Sequence, residues 1–259
     1  MKVMDNYMPR EYLALRINYC RQQLEQLPLV KLGSLATNGT QTTLVKVGSH
    51  KYEIRSENGK KYYQIWLLRD ELERQLRMYE SLWNLKYVGC VPTIEIPKRA
   101  RTIWVSNNTP VAMNKNFFDS LPNDANKDHP KPPYYFYNGI YYRSAAERSI
   151  AIFYTEAGIP FKYEPAVMLA GLRKPVFPDF VPYFRELDSC IFHEHFGMMN
   201  SSDYIRDSKI KFTNFVNAGL LQDLDYIFTY NDSDTVLDPR FLSAKINTLI
   251  IGSVVCRVE

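Results

Sequence analysis

The chain has 259 residues, 46% hydrophobic and 23% charged, a globular composition that excludes bulk disorder, collagen and coiled coil. No run of about 18 apolar residues occurs and Met1-Lys2-Val3-Met4-Asp5-Asn6 lacks an apolar leader core, so neither a membrane span nor a signal peptide is expected. The net charge of +4 divides unevenly: residues 1–133 carry 20 Lys+Arg against 13 Asp+Glu, a balance of +7, and residues 134–259 carry 12 against 15, a balance of −3.

Residues 8–27 have helical spacing, with Tyr12, Leu13, Leu15, Ile17, Cys20, Leu24 and Leu27 on a broad apolar stripe that Pro28 ends. Residues 29–67 read as short strands and hairpins. Gly33, Asn38-Gly39, Gly48 and Asn58-Gly59 punctuate alternating runs such as Thr43–Val47 and Tyr52–Arg55. Residues 68–85 return to helical spacing. Thr102-Ile103-Trp104-Val105 has the composition of a short strand. Residues 121–133, with proline-rich polar character, predict a linker. The expected organisation is an α+β region over 1–120, the linker over 121–133, and a second domain over 134–259.

That second domain begins with an aromatic stretch, Tyr134 to Tyr142, around Asn138-Gly139. A helix follows from Ser144 to Gly158. Strands are predicted over Phe161–Leu169, Val176–Tyr183 and Cys190–Phe196, with 185–189 as the turn between the last two. A helix over Asp203–Asn217, a strand over Asp225–Tyr230 and a helix opened by Asp238-Pro239 complete an α/β core. The cysteines Cys20, Cys90, Cys190 and Cys256 are far apart with no CxxC pair, which predicts free thiols and a cytoplasmic setting.

Three carboxylates stand out by placement. Asp179 and Glu194 lie inside apolar strand sequences, where a carboxylate is costly unless paired or metal-bound. A hairpin through 185–189 would set them side by side, and a hard divalent cation such as Mg²⁺ would relieve their repulsion. Glu147 has two readings. Ser144-Ala145-Ala146-Glu147 fits a capping box, yet Glu147 shares a helix face with Ile150, Ala151 and Tyr154, which should turn toward the sheet. His193 and His195 alternate with Glu194 and so face the other way. They read as structural rather than as a zinc pair, with His195 able to approach the site through a twist near Gly197. Lys211, seven positions after Tyr204, could reach the carboxylates from its helix; a solvated surface lysine is the alternative.

The string Ser144…Glu147, Gly158-Ile159-Pro160-Phe161-Lys162-Tyr163-Glu164, Pro178-Asp179-Phe180 and Glu194-His195-Phe196-Gly197, followed by Tyr204, Lys211, Gly219 and Asp238-Pro239, resembles the PD-(D/E)XK nuclease superfamily over about residues 134–255. The resemblance implies a restriction-endonuclease-like core: a helix, a three-stranded antiparallel meander, a helix and a further strand. It implies an Mg²⁺- or Mn²⁺-dependent endonuclease that hydrolyses DNA phosphodiester bonds. Asp179, Glu194 and Glu147 would hold the metal, and Lys211 would be the catalytic lysine. Glu164, His195 and Tyr204 would be accessory. The superfamily lysine would fall at Phe196 here, a departure that relocation to Lys211 would repair.

Basic residues of the first region, Lys60, Lys61, Lys98, Arg99 and Arg101, are expected to dock nucleic acid through phosphates. Tyr62, Tyr63, Trp66 and Trp104 are read mainly as core, with base stacking as the alternative. DNA is the expected partner and RNA the alternative, with a homodimer or a larger defence or mobile-element complex as further partners. The competing functional reading is a catalytically inactive nucleic-acid-binding module.

Overall fold

The computed structural model describes residues 8–37, 40–96, 101–128, 130–197, 202–231 and 237–255. The chain divides into two compact units, Leu13–Ile94 and Met1–Tyr12 with Glu95–Glu259. Among the described residues no helix is long and apolar enough to cross a membrane.

Helix α1 (Arg10–Gln26) runs into the Leu13–Ile94 unit. There β1 (Val30–Thr37), β2 (Thr40–Val47) and β3 (His50–Glu53) form a three-stranded antiparallel sheet, followed by the 30-residue helix α2 (Glu57–Lys86). The helix starts at Glu57, well before the predicted residue 68. Ser56 is its N-cap and accepts the Gly59 N–H at 3.1 Å, so Asn58-Gly59 opens a helix instead of a hairpin turn. Gly59 is needed there because a Cβ would collide with the Glu53 carbonyl oxygen. Leu72, Tyr79 and Trp83 are the long helix's buried stripe. Arg69 donates to the carbonyls of Leu24 and Leu27, both at 2.9 Å, and so caps the C-terminal end of α1. Arg16 adds a 3.3 Å bond to the Tyr79 hydroxyl.

The other unit holds β4 (Thr102–Val105), β5 (Thr109–Ala112), α3 (Lys115–Ser120), β6 (Phe136–Tyr137), β7 (Ile140–Tyr141), α4 (Ala145–Glu156), β8 (Phe161–Tyr163), β9 (Phe180–Phe184), β10 (Ser189–Cys190), β11 (Phe192–Phe196), α5 (Ser202–Asn217), β12 (Tyr226–Tyr230) and α6 (Pro239–Val255). Five strands make its main sheet. Strands β8, β9 and β11 pair antiparallel, and β12 joins β11 in parallel. Every residue of β9 is buried, as expected of a strand covered on both faces. On one face Tyr154 of α4 meets Phe180 and His193; on the other, Phe215 of α5 stacks on Phe192 with centroids 5.7 Å apart. Helix α6 packs on α4 and β12. Apart from the two-residue β10, the order helix, three strands, helix, strand, helix is the one expected from the sequence.

Three expectations change. The predicted strand over 161–169 ends at Tyr163, and Val167 only bridges Val176. Residues 102–121 join the second unit's core: Ile103, Met113, Phe117, Phe118 and Leu121 pack with Val181, Phe192 and Phe215. The 121–133 segment therefore does not separate two cores. Its backbone runs beside β8, with Asp124 and Ala125 N–H groups donating to the Tyr163 and Glu164 carbonyls at 2.7 and 3.0 Å. Trp104 is half exposed rather than core.

Candidate active site

Asp179 is the residue just before β9, and Glu194 is the middle residue of β11. The antiparallel pairing of Phe180 with His193 sets Asp179 opposite Glu194. Asp179 Oδ2 accepts the His195 backbone N–H at 2.7 Å, which fixes the carboxylate against the neighbouring strand. Because the side-chain period is two, Glu194 shares its face with Phe192 and Phe196, the face that α5 covers. From that helix Lys211 places Nζ 2.8 Å from Glu194 Oε2 and 3.8 Å from Asp179 Oδ1. The lysine side chain is 45% exposed, while Glu194 is buried. One cation thus faces two carboxylates, with its stem open to solvent.

Glu147, in the first turn of α4, is buried, and the charge of Asp179 acts on it. Ser144 is the N-cap and accepts the Glu147 N–H at 3.1 Å. The reciprocal bond goes one residue further back than a capping box requires: Glu147 Oε2 accepts the Arg143 N–H at 3.1 Å. The same oxygen accepts the Tyr163 hydroxyl at 2.6 Å. Helix capping and orientation toward the site are therefore two uses of one side chain.

The electrostatics follow from burial. Loss of water raises the Glu194 carboxyl to about 8; Lys211 opposes the rise, and Asp179 adds to it through its charge and a shared hydrogen bond. Burial and the Asp179 charge raise Glu147 to about 7 against the lowering pull of its Tyr163 and Arg143 hydrogen bonds. Burial is the larger cause in both cases, and a cation among the carboxyls would favour their ionised forms. Among the described residues no three His, Cys, Asp or Glu side chains stand together as a ready metal cage. Mg²⁺ does not require one. It commonly takes one or two carboxylates and completes its shell with water and phosphate oxygens. Asp179 and Glu194 fit that donor set; the expected third ligand, Glu147, does not join them in one group.

The accessory residues divide. Glu164 is buried in a left-handed conformation, φ 41°. Its carboxylate meets Arg143 Nε at 2.6 Å, Lys131 Nζ at 2.9 Å and Asn126 Nδ2 at 3.2 Å. It anchors the loop behind Glu147 and is already matched by two cations. His195 Nδ1 lies 2.9 Å from Thr229 Oγ1, and the charge of Asp179 acts on its ring. His193 is fully buried between the Tyr154 hydroxyl and Thr229 Oγ1, both at 2.8 Å. Burial lowers the pKa of both histidines. Tyr204 lies in α5, but its side chain is outside the described residues.

The expected docking residues belong to both units or lie outside the described residues. Lys60 and Lys61 are exposed in the first turns of α2, within the Leu13–Ile94 unit. Lys98 and Arg99 lie outside the described residues. Arg101 makes a 2.8 Å ion pair through Nε with buried Asp225, a structural duty at the base of β12.

Arg143, Lys131 and Tyr163 were not singled out from the sequence as site residues. Arg143 immediately before the helix-capping serine was the available signal for the first. The pairings of Glu164 with Arg143 and Lys131 span 21 and 33 positions and leave no local periodicity. Comparison with models of known families, with curated proteins and with solved structures finds no match to this chain.

Proposed function

We propose that this unit is a metal-dependent endonuclease of the PD-(D/E)XK type acting on DNA phosphodiester bonds. One observation carries the reading: Lys211 Nζ, from a helix, stands at 2.8 and 3.8 Å from carboxylates on two adjacent strands. That placement supplies from α5 the cation that Phe196 cannot provide from β11. Asp179 and Glu194 would hold Mg²⁺ or Mn²⁺, and Glu147 would add negative charge beside them. When bound, the ion polarises the scissile phosphate and makes an attacking water more acidic.

The protein's own part is positioning. The His195 N–H keeps Asp179 turned toward Glu194. Tyr163 and the Arg143 N–H hold Glu147 at the helix start. Lys211, held over Asp179 and Glu194 from α5, would offset charge developing on the phosphate oxygens.

The test is cleavage of plasmid and single-stranded DNA with Mg²⁺, Mn²⁺ or EDTA. Wild type should cut with either ion and not in EDTA. Asp179→Asn and Glu194→Gln, folded by circular dichroism, should lose about 100-fold or more, the scale set by removing one group that stabilises transition-state charge. Folded wild type that cuts neither DNA nor RNA with any ion would refute the enzyme. Ion-independent DNA binding without cleavage would establish the inactive binding module instead.

A further inference from the structure

We infer that the exposed face of the β6–β7 hairpin is a stacking platform for unpaired nucleobases, which makes single-stranded nucleic acid the substrate class. The inference deepens the nuclease reading and rests on it for its purpose, though not for its test. The hairpin turns through Asn138 (φ 49°) and Gly139 (φ 85°), the left-handed pair of a tight two-residue connection. Phe136 pairs directly with Tyr141, so both rings lie on one face, with centroids 4.9 Å apart. Tyr134 extends the aromatic series toward the linker. Their exposures are 72% for Tyr134, 51% for Phe136 and 47% for Tyr141.

The opposite side supplies the anchor. Tyr142 is buried against Tyr163, centroids 4.7 Å apart, and its N–H donates to the Tyr135 carbonyl at 3.0 Å. The hairpin is thus fixed by one ring and leaves others in water. Folding gains little from exposed rings, whereas every base offers a π-face to stack on them. The hairpin segment itself presents no carboxylate that would repel a polyanion. No Asp or Glu occurs between Asp128 and Glu147. Arg148 lies under the hairpin, its guanidinium 5.8 Å from the Tyr135 ring and Nη1 3.5 Å from the Tyr134 carbonyl.

Position ties the platform to the chemistry. Tyr141 is two residues before Arg143, whose N–H binds Glu147. At about 3.3–3.6 Å per extended residue, the backbone path between them is about 7 Å. The anchoring ring Tyr142 packs on Tyr163, whose hydroxyl binds Glu147, so the hairpin is attached at the start of the helix that carries this carboxylate.

The experiment measures anisotropy of a labelled oligothymidine and of a blunt duplex with the full chain, in EDTA so that nothing is cut. Phe136→Ala/Tyr141→Ala should weaken oligothymidine binding about tenfold or more and leave the duplex within about twofold, with the salt slope unchanged because stacking releases no counterions. Phe136→Tyr/Tyr141→Phe, which keeps both rings, should bind as wild type does; melting curves check that each variant is folded. Unchanged oligothymidine binding, equal losses on both substrates, or wild type that fails to bind the oligomer would each overturn the platform. So would sedimentation showing that the rings join two copies while oligomer binding survives their loss. Failure of the nuclease reading shows separately, as absent cleavage in Mg²⁺.

Discussion

Glu147 carries the sharpest ambiguity at the scale of single residues, and its bonding offers a way to divide it. Both donors to Oε2, the Tyr163 hydroxyl and the Arg143 N–H, need only a carbonyl-type acceptor. Glu147→Gln keeps an acceptor oxygen and removes the charge. Its thermal midpoint at pH 8 should equal or exceed that of wild type, because a buried ion is no longer required. Glu147→Ala leaves the buried Tyr163 O–H without its acceptor and should lose about 1–3 kcal/mol, the cost of an unsatisfied buried donor. Under the nuclease proposal both variants lose Mg²⁺-dependent cleavage. Wild-type cleavage by Glu147→Gln would reduce the residue to a helix cap. The sequence could present the two uses only as rivals, because capping and site placement ask for the same residue type at the same turn.

At the scale of elements, local chemistry can point two ways. Asn58-Gly59 has hairpin composition, yet Ser56 three positions before Gly59 makes the stronger case for a helix start. Substitution at Gly59 tests this. A glycine inside a helix usually gains about 0.5–1 kcal/mol on replacement by alanine. Gly59→Ala should instead lose roughly 1–3 kcal/mol, as for an overpacked site, because the added Cβ meets the rigid Glu53 carbonyl. A denaturant midpoint at or above wild type would contradict the close approach. The helices with clear 3.6-residue spacing and the strand sequence around Glu194 were legible because their signals are contained in the element. So was the meeting of Asp179 with Glu194, which follows from a short hairpin. The β8-side path of residues 123–125 was not legible: it depends on pairing with Tyr163 and Glu164 some 40 positions away. Its prolines describe where a ladder cannot run and say nothing of what the intervening N–H groups bind. The same holds for Ile103, Met113 and Phe117, whose place in the sheet's core is a long-range fact.

For the whole molecule, the buried acids and the buried histidines set opposing pH dependences, and the window in which one acts alone can be named. Glu147 and Glu194 have folded-state values raised from 4.5 to about 7 and about 8. The native state keeps their protons longer than the unfolded chain does. Their stability contribution is full below 4.5 and is lost as pH rises through 7 and 8. His193 and His195 are lowered from 6.5; the unfolded chain takes up their protons first, so their contribution is full above 6.5 and lost on acidification. The two effects oppose between 4.5 and 6.5. Above 6.5 only the carboxylates act. The thermal midpoint of the metal-free protein should therefore fall between about pH 6.5 and 8.5. Glu194→Gln should flatten that fall, since it removes one of the two raised carboxyls. Millimolar Mg²⁺ should raise the midpoint most at the alkaline end, where both carboxylates are ionised and ion binding stabilises only the folded chain. A wild-type midpoint that stays level from pH 6.5 to 8.5, or an Mg²⁺ increment that does not grow with pH, would mean that Asp179, Glu194 and Glu147 neither strain one another nor share a cation. The Lys211 contact would then be an ordinary ion pair between α5 and the sheet.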